Sequence, residues 1–147
     1  GFTRFEREVL HDGVEAVIIL HGINDIIHPD GSYFRPWSHQ PTAEELIAGL
    51  QSYIDFAHEH GIEVYLSAIL PFKGWHTFND EKEALRQKVN HWIYNEAKVE
   101  GILPFESTVM DPKDPLKMQE QYDSGDHLHP RSLGAQAIAD SIPEEML

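Results

Sequence analysis

Two short groups of polar residues in this 147-residue chain have the side chains and spacing for catalysis. The first is Gly22-Ile23-Asn24-Asp25 and the second is Asp126-His127-Leu128-His129-Pro130. A carboxylate three residues before a histidine can hold the imidazole in one tautomer and stabilise its cation, as a general base requires. An asparagine at the end of a strand can direct its side-chain amide at a developing oxyanion. Asp126, His129 and Asn24 are therefore the candidate catalytic residues.

Each group also has a simpler interpretation. Asparagine and aspartate favour turns, so Asn24 and Asp25 could simply end a strand, and for Asp25 this is the better explanation. Asp126 could bond to backbone in a polar loop. Imidazole and carboxylate suit transition metals, so His127, His129 and Asp126 could also form a metal site. That pattern arises easily by chance in a chain with ten histidines, and we favour the reading without metal.

The apolar residues predict alternating strands and helices. Residues 14–20 form a nearly continuous apolar run rich in β-branched residues, which is typical of a strand buried on both faces of a parallel sheet. Further strands are predicted over 62–69 and 102–105. Helices are predicted over 5–11, from a capping box at Thr42 to about 60, over 80–99, and from Ser132 with Ala135, Ile138, Ala139 and Ile142 facing inward.

This alternation of elements predicts an α/β fold with a parallel sheet and right-handed crossovers. Ligands of such sheets bind beyond the carboxyl ends of the strands. Residues 20–27, residues 70–79 and the loop near His129 are therefore expected to surround one site.

Both polar groups resemble conserved blocks of the SGNH hydrolases, the GDSL-like lipases and acylhydrolases. Gly22-x-Asn24-Asp25 is similar to their third block and Asp126-x-x-His129-Pro130 to their fifth. The longer strings over 17–26 and 122–130 resemble a bacterial and fungal branch of the family. The resemblance covers essentially the whole chain, taken as one domain over 1–147. It implies a three-layer, flavodoxin-like fold.

The resemblance also implies an ester hydrolase with a Ser-His-Asp triad and no metal or organic cofactor. Serine would attack the ester, His129 would take its proton, Asp126 would orient the ring and Asn24 would help hold the oxyanion. The Gly-Asp-Ser block with the nucleophile is not in the sequence, and neither is a Gly-x-Ser-x-Gly elbow. Ser124 mirrors that block only superficially, because it is two residues from Asp126.

Since the chain starts at Gly1 without a methionine, we expect the N-terminal strands and the serine to lie upstream and the chain alone to be inactive. Without that strand, residues 14–20 would form an unpaired, apolar sheet edge. We therefore expect either a homo-oligomer or pairing of a missing N-terminal segment at this strand. The alternative is a non-catalytic fragment or interaction module with the same fold.

Aromatic residues lie in two loops that are expected to face the site. Trp37 follows the Asn24 group, and Phe72 and Trp75 follow the second strand. We predict that these three side chains bind substrate by walling an acyl or sugar pocket. The alternative is that they fix long loops to the body of the protein.

The composition limits the classes of partner. Eleven basic residues against 25 acidic ones give a net charge of −14, which argues against nucleic acid and anionic membrane. No apolar run approaches the roughly 20 residues of a membrane span. The absence of cysteine excludes disulfides and Cys-based zinc sites. A small-molecule ester is the expected partner, and acetylated sugars and short acyl esters both fit.

Overall fold

The computed structural model describes residues 2–29 and 39–146. Within these ranges the helices are α1 (Phe2–Val9), α2 (Ile23–Ile27), α3 (Ala43–Glu59), α4 (Asp80–Asn95), α5 (Phe105–Val109) and α6 (Ser132–Asp140). The strands are β1 (Ala16–Ile19), β2 (Glu63–Ser67), β3 (Gly101–Leu103), β4 (Met110–Asp111) and β5 (Asp114–Met118). A 3-10 turn covers Glu144–Met146.

The central sheet is parallel and has the order β1-β2-β3. Ala16 of β1 is paired with Glu63 of β2, and Tyr65 of β2 is paired with Gly101 of β3. α3 connects β1 to β2 and α4 connects β2 to β3, as expected for parallel crossovers. The predicted α/β fold is therefore confirmed. The antiparallel pair β4–β5 and the short α5 were not predicted, because segments of two to five mixed residues carry no clear apolar period.

Apolar side chains pack on both faces of this sheet. On one face, Ile19, Val64 and Leu66 contribute to the main core, together with the inner sides of α3 and α4. On the other face, Tyr65 and Leu103 belong to a smaller cluster that includes Ile138 of α6. Helices thus cover the sheet from both sides and make three layers.

β1 differs from the prediction that both of its faces are buried. It lies at one edge of the described sheet, as expected for residues 14–20, but 46% of Ile18 is exposed, although Ile19 is buried. An apolar run does not by itself show that both faces of its strand are covered. The last helix also differs from its prediction. Ala135 and Ala139, which were expected to face inward, are exposed, while Ile138 and Ile142 are half-buried. No helix of the described ranges combines the length and the apolar character needed to cross a membrane.

The predicted capping box begins α3. The Glu45 backbone N–H donates to Thr42 Oγ1 (3.2 Å), and the Thr42 backbone N–H donates to Glu45 Oε2 (2.8 Å). These two bonds satisfy donors that the first turn of a helix leaves unpaired. The helix then ends at Glu59, just before Gly61, as predicted.

Thr42→Ala is expected to lower the free energy of unfolding by about 1 kcal/mol, because it removes the cap. Urea denaturation measures this change. Ser52→Ala is the matched control, since its hydroxyl bonds to Gly49 O on an exposed side of the same helix. We expect the control to change stability by less than about 0.5 kcal/mol. Equal losses in both variants would show that the box does not stabilise α3.

Candidate active site

A cavity of about 210 Å³ opens at the carboxyl ends of β1 and β2. It is lined by Leu20, His21, Ile23, Asn24, Ile69, Leu70, Leu128, His129 and Pro130. Asn24 comes from the first turn of α2, which directly follows β1, and His129 comes from the loop before α6. The structure therefore brings these two predicted residues, which are 105 positions apart, to one cavity.

The third predicted residue, Asp126, is bonded to the histidine. His129 Nδ1 lies 2.6 Å from Asp126 Oδ2. Asp126 Oδ1 accepts from the backbone N–H groups of Leu128 and His129, both at 2.9 Å, and from the Ser124 hydroxyl at 3.0 Å. An ionised carboxylate can only accept, so Nδ1 carries the proton and Nε2 is left with a free lone pair. This is the tautomer that a general base needs.

Asp126 stays ionised in this loop. Burial alone would raise its pKa, but the backbone N–H of His129, the His129 ring, the backbone N–H of Leu128 and the Ser124 hydroxyl together hold the pKa well below its usual range. Because the pKa is lowered in the folded state, the ionised group stabilises the fold above about pH 4, the ordinary value. That contribution is lost as the pH falls below this value towards the lowered pKa.

A second His–Asp pair, which the sequence analysis did not identify, lies beside the first. His127 Nδ1 is 2.7 Å from Asp123 Oδ2, and Asp123 Oδ1 accepts from the backbone N–H groups of Gly125 and His127. The two histidines therefore bind different carboxylates. In the part of the chain that is described, no three His, Asp or Glu side chains are grouped so as to hold a metal ion.

His127 also joins two loops of the site. Its φ of +66° lies in the left-handed region, which is uncommon for a residue with a side chain. A Cβ atom on Gly74 would lie 2.6 Å from His127 Cγ, so only glycine allows this close contact. The loop that contains Trp75 is thereby packed against the loop that contains His129. The four-residue spacing of Asp123 and His127 is the sequence feature from which this His–Asp pair could have been predicted.

The predicted substrate-binding aromatics have different positions. Trp75 is half-buried, and its ring centroid lies 6.2 Å from that of His129 in an edge-on arrangement. Its substrate contact stays a prediction. Phe72 is fully buried and packs edge-on against Phe78, with 5.1 Å between ring centroids. It has no exposed surface to offer a substrate, so a core role replaces the predicted one. Trp37 lies outside the described residues.

Contacts at both ends of α2 hold the turn that carries Asn24. Gly22, just before α2, has a φ of +111°, and a Cβ atom there would lie 3.0 Å from Ile69 Cδ1. At the other end of α2, the Ile27 carbonyl accepts from Thr77 Oγ1 (2.8 Å) and from Lys82 Nζ (3.2 Å). The buried Lys82 is a residue that sequence reasoning missed, because a lysine near the start of a helix is ordinarily solvated.

The sheet, its helical layers and the cavity at its carboxyl edge define a three-layer, flavodoxin-like α/β protein. The chain belongs to the GDSL-like lipase/acylhydrolase family, whose family model matches residues 2–137. The resemblance seen in the sequence is thereby confirmed. No curated protein matches the chain by sequence.

Solved structures share this fold at low sequence identity. A proposed acylhydrolase from Bacteroides fragilis has a TM-score of 0.73 and 17% identity, with 95% of this chain and 64% of that chain covered. A GDSL-like lipase from Bacteroides thetaiotaomicron has a TM-score of 0.68 and 18% identity, with 95% and 65% covered. A proposed platelet activating factor from Streptococcus pneumonia has a TM-score of 0.72 and 18% identity, with 99% and 67% covered. The chain thus spans about two thirds of the length of these proteins.

Proposed function

We propose that this chain supplies the general base, the orienting carboxylate and one oxyanion donor of a serine ester hydrolase. The main support for this proposal is that His129, which is bonded to Asp126, lines the same cavity as Asn24. His129 Nε2 takes the proton of a serine hydroxyl as that oxygen attacks the ester carbonyl. Asn24 donates its side-chain amide to the oxyanion. The imidazolium, stabilised by Asp126, then protonates the leaving alcohol, and water releases the acid.

The nucleophilic serine is proposed to come from a part of the protein outside these 147 residues. None of the described residues that line the cavity is a serine. The nearby Ser124 donates its hydroxyl to Asp126 Oδ1, so it helps to hold the carboxylate. The chain spans about two thirds of the length of the solved structures that share its fold, which leaves room for such a segment.

The walls of the cavity suit the acyl part of an ester. Five of its lining side chains are apolar aliphatic groups: Leu20, Ile23, Ile69, Leu70 and Leu128. Apolar walls with a few convergent polar groups are typical of small-ligand sites. We therefore propose small carboxylic esters as the substrate class.

Asn24→Ala is expected to lower kcat by about 10²- to 10³-fold, because one oxyanion donor is lost. The assay is hydrolysis of p-nitrophenyl acetate and butyrate by the full-length protein. KM should change little, since the interaction forms mainly in the transition state. Asn95→Ala is the matched control, because Asn95 is exposed on α4 and donates only to His91 in the described structure. A kcat of Asn24→Ala within threefold of the control would exclude the oxyanion role.

A further inference from the structure

We propose that Asn90 is a positioning residue for the candidate active site, an inference that rests on the proposed function. It acts through Ile69, which it holds by both backbone groups. The Ile69 backbone N–H donates to Asn90 Oδ1 (2.8 Å), and Asn90 Nδ2 donates to the Ile69 carbonyl (3.0 Å). Asn90 is 3% exposed and Ile69 is 1% exposed, so water does not compete for these bonds.

The two bonds continue the strand by means of a side chain. Pairing of β2 with β3 ends at Ser67, which is opposite Leu103. Two residues later, the Asn90 amide offers Ile69 one donor and one acceptor, as a neighbouring strand would. The orientation of the amide is fixed, because Nδ2 also donates to Glu106 Oε1 (3.0 Å), a group that can only accept. An apolar residue of similar size would fill the space but leave the Ile69 backbone N–H unpaired, while the Ile69 carbonyl would keep only its bond from Arg86 Nη1 (2.7 Å).

Ile69 links this network to both halves of the site. Its side chain packs against Gly22, two residues before Asn24, and it lines the cavity shared by Asn24 and His129. Leu70, which follows it, forms part of the same wall. Loss of the Asn90 amide would therefore shift the wall against which the Asn24 turn is packed, without removing any group that touches substrate.

The test compares Asn90→Leu with Ile93→Val in the full-length protein. Ile93 is buried three residues further along α4, so its shortening loosens the same helix but leaves the two hydrogen bonds between Asn90 and Ile69 in place. For Asn90→Leu we expect kcat to fall about ten- to a hundredfold with KM within threefold, since small misplacements of catalytic groups act mainly on kcat. The Ile69 amide should exchange its hydrogen at least about tenfold faster. Ile93→Val should keep both quantities within threefold.

Two results would overturn the inference. One is a folded Asn90→Leu protein whose kcat and Ile69 exchange both stay within threefold of the unaltered protein. The other is an equal loss of kcat in Ile93→Val, which would reduce the effect to general destabilisation. If Asn90→Leu does not fold, the smaller Asn90→Ser is judged by the same criteria.

A failure of the proposed function can be distinguished from a failure of the inference about Asn90. If the unaltered full-length protein hydrolyses none of the p-nitrophenyl esters, the proposed function fails. Positioning by Asn90 is then decided by NMR. A shift of the Asn24 side-chain amide resonance in Asn90→Leu, absent in Ile93→Val, supports it, and an unmoved resonance overturns it.

Discussion

Replacing His129 with glutamine is expected to lower kcat/KM for p-nitrophenyl acetate by about a thousandfold in the full-length protein. Glutamine has nearly the same reach as histidine but cannot accept a proton near neutral pH, so the serine would lose its base. His91→Gln is the matched control, because His91 is an exposed histidine on α4 and bonds only to Asn95 in the described structure. This control accounts for slow, unspecific reaction of the ester with surface histidines.

Donors around Asp126 hold the pKa of this carboxyl well below its usual range, so the partner of the His129 ring is ionised near neutral pH. A His129→Gln protein with a kcat/KM within tenfold of the control would rule out His129 as the base.

Arg86→Leu is expected to lower the free energy of unfolding by about 3–5 kcal/mol, because it leaves buried charges unpaired. The guanidinium is fully buried. Its Nε and Nη2 donate to the two oxygens of Glu83 at 2.9 and 2.7 Å, and its Nη1 donates to Glu106 and to the Ile69 carbonyl. Burial alone would lower the pKa of Arg86, but the two glutamates more than offset this effect and raise it.

Urea denaturation of the Arg86→Leu protein tests this prediction against a partly exposed ion pair. Lys117 Nζ lies 3.8 Å from Asp111 Oδ2, and 47% of the lysine side chain is exposed. Lys117→Leu should change stability by less than about 1 kcal/mol, as is usual for surface pairs. An equally small loss in Arg86→Leu would show that the two glutamates find other partners or take up protons without much cost.

The elements that position the site could be predicted because they are long and periodic. The capping box at Thr42, the helix that ends before Gly61 and the parallel strands all follow local patterns. Asp126 and His129 could be paired from the sequence because they are three residues apart in one loop. Asn24 needed the additional rule that parallel strands present their carboxyl ends to a common edge.

The buried polar network of α4 could not be predicted. A helical pattern assigns charged residues to the solvated face, yet Lys82, Glu83, Arg86 and Asn90 are all buried. Their partners include the backbone carbonyls of Ile27 and Ile69 and the carboxylate of Glu106, which come close to them only in the folded structure. The substrate-binding role predicted for Phe72 failed for the same reason. Its position after a strand does not indicate whether its ring faces the cavity or the core.

Reaction with diisopropyl fluorophosphate shows whether His129 activates a serine, because this reagent phosphorylates a serine only where a base activates it. We predict that the full-length protein gains one phosphoryl group on a serine other than Ser124, detected by intact mass and peptide mapping, and that His129→Gln abolishes the labelling. Ser124→Ala should be labelled like the unaltered protein. Labelling on Ser124, or unchanged labelling in His129→Gln, would contradict the account.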